Sequence, residues 1–142
     1  MSNALLLPVF VQVALTFVLL FSLAGVRARA GKSDPALTQK AAIDTSIYPD
    51  KARQVANCFD NQFQLPILFY VVVGFTILTA MEDSLLMFMI SLAWVFVGTR
   101  IVHAFIHTGG NKVIPRFLVF LVSTFALMAM WGVLGYHLFR PL

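Results

Sequence analysis

The sequence predicts an all-α polytopic membrane protein, a bundle of four transmembrane helices. Three observations carry this. Hydrophobic residues make up 60% of the 142 positions and charged residues only 11%, well below the roughly 25% charged residues of soluble domains. The apolar residues gather in four runs long enough, or nearly so, to cross a bilayer. Short polar segments that collect the Gly, Pro and charged residues separate the runs. The net charge of +4 is spread over loops without a basic block, which argues against a nucleic-acid partner. Cys58 is the one cysteine, so an intrachain disulfide and the Cys-rich zinc patterns are excluded.

The first run, 4–26, is long enough to span. Ala28-Arg29-Ala30 imitates a signal-peptidase site, but no Lys or Arg precedes the run and the charges follow it. It therefore reads as a retained helix. The segment 27–50 reads as a polar loop with Gly31, Pro35 and Pro49 as breakers, and Asp50 is placed to cap the next helix. That second helix is expected over 51–80, with Pro66 kinking it by displacing the carbonyl of Gln62. Met81-Glu82-Asp83-Ser84 forms a tight acidic turn, so the second and third helices are antiparallel neighbours. The third helix is expected over 85–107 and is broken by Thr108-Gly109-Gly110-Asn111-Lys112. The fourth is expected over 115–139, with Pro115 in its first turn. The whole reads as one domain.

The second helix carries the unusual chemistry. The apolar part, 65–80, is 16 residues, about 24 Å of helix against about 30 Å of hydrocarbon. Polar residues must complete the span. Arg53, Asn57, Asp60, Asn61 and Gln64 fall within an arc of about 100° on a helical wheel. Ionisable groups at such depth are costly and usually functional. The competing reading is a helix end that projects into headgroups and cytosol, with the stripe merely solvated.

Lys and Arg set the orientation. Nine of the ten lie in or beside the first and third loops, and only Arg140 lies opposite. The positive-inside rule places these two loops in the cytoplasm and both termini outside.

The third helix carries Arg100, His103 and His107, spaced 0, 3 and 7, on an arc of about 60°. Arg116 follows at the start of the fourth helix. By the topology all four share the level of the second-helix stripe, and buried polar groups need partners. Each has a plainer alternative. Arg100 can snorkel to the interface, the two histidines can be hydrogen-bonded packing residues or a metal-ligand pair lacking a third member, and Arg116 can be a positive-inside anchor. Cys58 lies off the stripe and reads as inert packing.

Arg53-x-x-x-Asn57-x-x-Asp60-Asn61 with a proline shortly after, then Arg100-x-x-His103-x-x-x-His107 and Arg116 nine residues on, resembles the MAPEG family. These are the membrane-associated proteins in eicosanoid and glutathione metabolism. The resemblance covers nearly the whole chain, and the microsomal glutathione transferases have the most similar pattern. It implies a homotrimer of four-helix subunits in contact with membrane lipids, in a bacterial inner membrane. Glutathione, the thiol co-substrate, would lie between neighbouring subunits and attack a lipophilic small molecule arriving from the bilayer. Carried over by position, Arg53, Asn57 and Asp60 would hold its charged ends. Asn61, Gln64 and His103 would join the binding site, with Arg100 in support. Arg116 and His107 would be the catalytic pair, since a guanidinium at a helix N-terminus favours a thiolate.

The pattern departs from those transferases twice. Asp60 stands where they carry Glu, one methylene shorter, and His107 stands where they carry Tyr, which removes a phenol from the thiol. An imidazole in that place can donate a hydrogen bond or, when protonated, favour the thiolate. A non-catalytic lipid-binding or scaffold protein of the same fold is the rival expectation. A small-solute conduit between polar stripes is a third.

Overall fold

The computed structural model describes residues 2–140, and among these every regular element is helical. Six α-helices occur: α1 Leu6–Ser33, α2 Pro35–Lys40, α3 Asp50–Asp60, α4 Leu65–Leu78, α5 Asp83–Thr108 and α6 Val113–Phe139. Four helical stretches are long and apolar enough to cross a membrane: Asn3–Ser33, Asp50–Leu78, Asp83–Thr108 and Val113–Phe139. α3 and α4 together make the second crossing. The fold is the expected four-helix membrane bundle.

α1 continues beyond Val26, where the polar loop is expected to begin, to Ser33. Arg27 to Ala30 alternate two good helix formers, and one glycine, Gly31, is too weak a signal to stop them. The stop comes at Asp34, whose carboxylate accepts the Ala36 amide at 3.0 Å and caps α2, with Pro35 in its first turn. Gly31 lies close under α2. A Cβ there would lie 2.5 Å from Thr38 Oγ1 and 3.9 Å from Thr38 Cβ, so a side chain would force the Thr38 hydroxyl to rotate away. Asp44 makes the second cap in this segment, accepting the Ser46 amide at 2.9 Å. Asp50, expected to cap, instead occupies the first turn of α3 and lies 3.4 Å from Arg53, with Pro49 at the cap position.

The second crossing is broken, not only kinked. A 3-10 turn covers Asn61–Phe63, and Gln64, at φ −104° and ψ −105°, leaves the helical path before α4 begins. Pro66 explains this. It has no N–H to return to the Gln62 carbonyl, and it stands in the first turn of α4, a place proline favours, so a new helix starts there.

The larger core cluster gathers Phe69, Val72, Met89, Phe96 and Met130, all fully buried. Phe69 of α4 stacks on Phe96 of α5, with ring centroids 4.6 Å apart. α5 packs most extensively on α6, and the buried faces of the two helices include the small residues Ala93 and Ala126. A second, smaller cluster of Leu19, Cys58 and Ala104 joins α1, α3 and α5. Outward positions are large and apolar, as at Phe10, Phe21, Phe105 and Phe125, which suits contact with acyl chains.

Candidate functional site

The broken crossing decides where each polar side chain points. On an ideal wheel Arg53 and Asp60 occupy one edge of the stripe, Asn61 the other and Asn57 the middle. The 3-10 turn advances the chain by about 120° per residue instead of about 100°, which carries Gln64 over to Asn61's side. The stripe therefore splits between two clefts.

One cleft, about 420 Å³, is lined by Asn57, Asn61 and Gln64 of the second crossing, by His103 and His107 of α5, and by Val113, Arg116, Phe117 and Phe120 of α6. Six of the nine sequence-selected residues meet here. The two imidazoles are buried and stand edge to face, with centroids 5.6 Å apart. Neither Nδ1 has a protein partner among the described residues. His103 also lies against the Phe120 ring, at 6.0 Å. Arg116 sits in the first turn of α6 and donates from Nη1 to Asn111 Oδ1 at 2.5 Å. Asn111 holds a positive φ of 48°, a geometry asparagine tolerates better than most residues. A guanidinium and a helix N-terminus thus address the same space, with apolar rings as its wall. That combination favours an anion and lowers the local dielectric around it.

The second cleft, about 300 Å³, lies beneath the first loop and takes Arg53 and Asp60, together with Arg27, Asp44, Ser46 and Tyr48. Asn57 lines both clefts. Arg27 stacks its guanidinium over the Tyr48 ring at 5.2 Å, and its Nε is buried without a protein partner among the described residues. Hydrogen bonds from Ser46 hold the Asp44 carboxyl below its ordinary value, so Asp44 remains an anion committed to its turn. Asp60 is exposed. Sequence reasoning passed over Arg27 and Tyr48, because the loop fold that brings them over α3 leaves no periodic signal.

Arg100 lines neither cleft. It is fully buried between α5 and the broken crossing, and its Nη2 donates to the Asn61 carbonyl at 3.0 Å. Snorkelling to the interface is thereby overturned, because the head is held by backbone inside the bundle. Gln12 and Gln62, also fully buried, were not singled out in the sequence. Gln12 Nε2 donates to Gln62 Oε1 at 2.9 Å, and Gln62 Nε2 donates to the Cys58 carbonyl at 3.0 Å. A lone amide within the apolar first run was the available signal. Cys58 is buried, with its thiol directed at the Ala104 carbonyl.

The end of α5 that carries His107 is held by α3. Gln54 Nε2 donates to the carbonyls of His107 and Gly109, at 2.5 and 3.0 Å, and Lys51 Nζ donates to the Thr108 carbonyl. These bonds satisfy carbonyls that a helix C-terminus leaves open. Among the described residues no cluster of three or more His, Cys, Asp or Glu is placed to hold a metal ion.

On the opposite face of the break lies an apolar pocket of about 270 Å³, formed by Val13, Thr16, Phe17 and Leu20 of α1 and by Phe59, Gln62, Phe63, Ile67 and Tyr70. The break thus separates a polar cleft from a greasy one. A search of curated proteins and a search of solved structures each return no match. The MAPEG family model matches residues 5–136. Since that span takes in all four crossings and both polar motifs, the chain belongs to the MAPEG family.

Proposed function

We propose that the protein is a membrane-bound glutathione transferase or peroxidase acting on lipophilic electrophiles. The observation that carries this is the cleft in which Arg116, His103 and His107 face three amides against an aromatic wall. Glutathione brings two carboxylates, an ammonium and a thiol. Arg53, with Arg27 beside it, suits the carboxylates and Asp60 the ammonium, while Asn57, Asn61 and Gln64 suit the peptide groups. Arg116 stabilises the thiolate, and His107 takes or shares the thiol proton. The sulfur then forms a bond to electrophilic carbon, and the leaving group departs with the bonding pair. With a hydroperoxide, sulfur bonds to the terminal oxygen as the O–O bond breaks, and the alkoxide leaves with the bonding pair and is protonated to the alcohol. A second glutathione thiol attacks the sulfenic sulfur, giving the disulfide and releasing the oxygen as water. The pocket between α1 and the break suits an apolar substrate from the bilayer.

The separation of the two clefts fits a trimer, with glutathione between subunits. Asn57, Asp60 and Gln64 are exposed in the single chain, and at membrane depth a neighbouring subunit would keep them from lipid. The same reading puts the first and third loops in the cytoplasm of a bacterial inner membrane.

Equilibrium dialysis of the purified protein tests the proposal. Binding at millimolar glutathione supports it, and none at that concentration ends it. Arg116→Ala is expected to abolish thiolate formation while helix content and assembly persist. His107, standing in place of a phenol, favours a second reading, a lipid-binding or scaffold protein without chemistry. Native mass spectrometry showing tightly held lipid and no thiol ligand would select it.

A further inference from the structure

The geometry points to Arg100 as a positioning residue that clamps the break in the second crossing, acting through an Nη2 N–H and not as a ligand for substrate. Its Nε and Nη1 have no protein partner among the described residues. In an unbroken helix the Asn61 carbonyl would take the amide of Leu65. Here the chain leaves that path at Gln64, and α4 starts afresh at Leu65. Arg100 Nη2 reaches across from α5 and donates to that carbonyl at 3.0 Å.

Three features argue for a clamp. Arg100 is completely buried, so it cannot touch a molecule in either cleft without the bundle opening. No carboxylate pairs with it among the described residues, so a backbone carbonyl is the partner that anchors it. Its contact falls on Asn61, whose side chain lines the polar cleft, with Gln64 at the point where the path turns. From the other side, Gln62 is tied to Gln12 of α1 and to the Cys58 carbonyl. Two neighbouring helices therefore grip consecutive residues of the 3-10 turn. The grip fixes the rotation that brings Asn61 and Gln64 to one cleft and leaves Asp60 at the other.

The clamp needs a donor at this place, not a positive charge, and it is needed only because Pro66 breaks the helix. Hydrogen exchange of the amides of residues 61–65, read by mass spectrometry on the full chain in nanodiscs, tests both statements without reference to any ligand. Arg100→Leu is expected to speed exchange there by about tenfold or more, while Arg100→Gln, neutral but able to donate, stays within about threefold of wild type. Pro66→Ala, which restores an N–H to the helix, is expected to suppress most of the effect of Arg100→Leu, including any failure to accumulate. Protection kept by Arg100→Lys and lost by Arg100→Gln would overturn the proposal, and so would an equal effect of Arg100→Leu with and without Pro66. The consequence for the cleft rests on the glutathione reading: glutathione affinity should follow the exchange rates across these variants. If exchange behaves as stated and glutathione fails to bind wild type, the clamp stands and the glutathione reading falls.

Discussion

Gln12 and Gln62 form a side-chain hydrogen bond of 2.9 Å between the first and second crossings, and both residues are fully buried. Gln12 Oε1 is buried without a protein partner among the described residues, so the bond to Gln62 is what holds the Gln12 amide, and neither water nor lipid can replace a lost partner there. Gln12→Leu leaves Gln62 Oε1 without its donor and is expected to cost about 1–2 kcal/mol. Gln62→Leu should cost more, because it also removes the bond to the Cys58 carbonyl. The double variant should cost less than the two single losses added, since no amide remains stranded. Detergent-titrated unfolding followed by circular dichroism measures all three.

On the proposed glutathione reading, Arg116 separates catalysis from binding. Its guanidinium lies at the α6 N-terminus beside the two histidines, where it would stabilise charge that appears only when the thiol ionises. Arg116→Ala is expected to lower kcat by roughly a hundredfold or more, with a smaller change in glutathione affinity. Ultraviolet thiolate absorbance of the bound thiol, set beside dialysis of the same sample, reads the two effects separately. An equal loss in both would make Arg116 a simple binding cation.

On the same proposal, Asp60 should carry the opposite signature. It lies in the loop-side cleft with Arg27 and Arg53, away from the cleft that holds Arg116, so it should hold substrate without touching chemistry. Asp60→Asn keeps the shape and removes the charge, and a lost charge-assisted bond is worth about 1.5–3 kcal/mol. The expected result is roughly a ten- to hundredfold rise in the glutathione KM with kcat nearly unchanged.

The contrast between these residues shows what a sequence can disclose. Helix count, the polar faces of the second and third crossings and the gathering of Arg116 with His107 follow from periodicity and length, because one-dimensional spacing maps directly onto a helix face. Pro66 announced a disturbance, yet its consequence was larger than a kink. The 3-10 turn before it adds rotation, and that rotation moves Gln64 to Asn61's side of the stripe, away from the edge held by Arg53 and Asp60. Gln62 falls opposite the stripe on an ideal wheel and gained its meaning only from Gln12, fifty residues away. Arg100 looked like a ligand because charge in a membrane helix suggests function, but nothing in its spacing tells whether it meets a cavity or a carbonyl. Arg27 came to the site through the fold of the first loop, where Asp34 and Asp44 caps set the path.

Arg140, after the end of α6, pairs with Glu82 in the turn between the second and third crossings. Their bond ties the C-terminal end of the bundle to that turn, outside the membrane-spanning segments. The Arg140 guanidinium holds the Glu82 carboxyl below its ordinary value, first by the hydrogen bond and then by its charge. A carboxylate with a depressed folded value adds stability that is fully present above the unfolded value, about 4.3 for glutamate. That stability is lost as pH falls through the lower folded value. Wild type should therefore melt above Glu82→Gln at neutral pH, and the gap should close below about pH 4. Both partners are reachable by solvent, so the gap should be small and should shrink with added salt. Thermal melts of the two proteins across acid pH, at low and high salt, measure it. A gap that persisted in strong acid would assign the difference to packing of the turn and not to the ion pair.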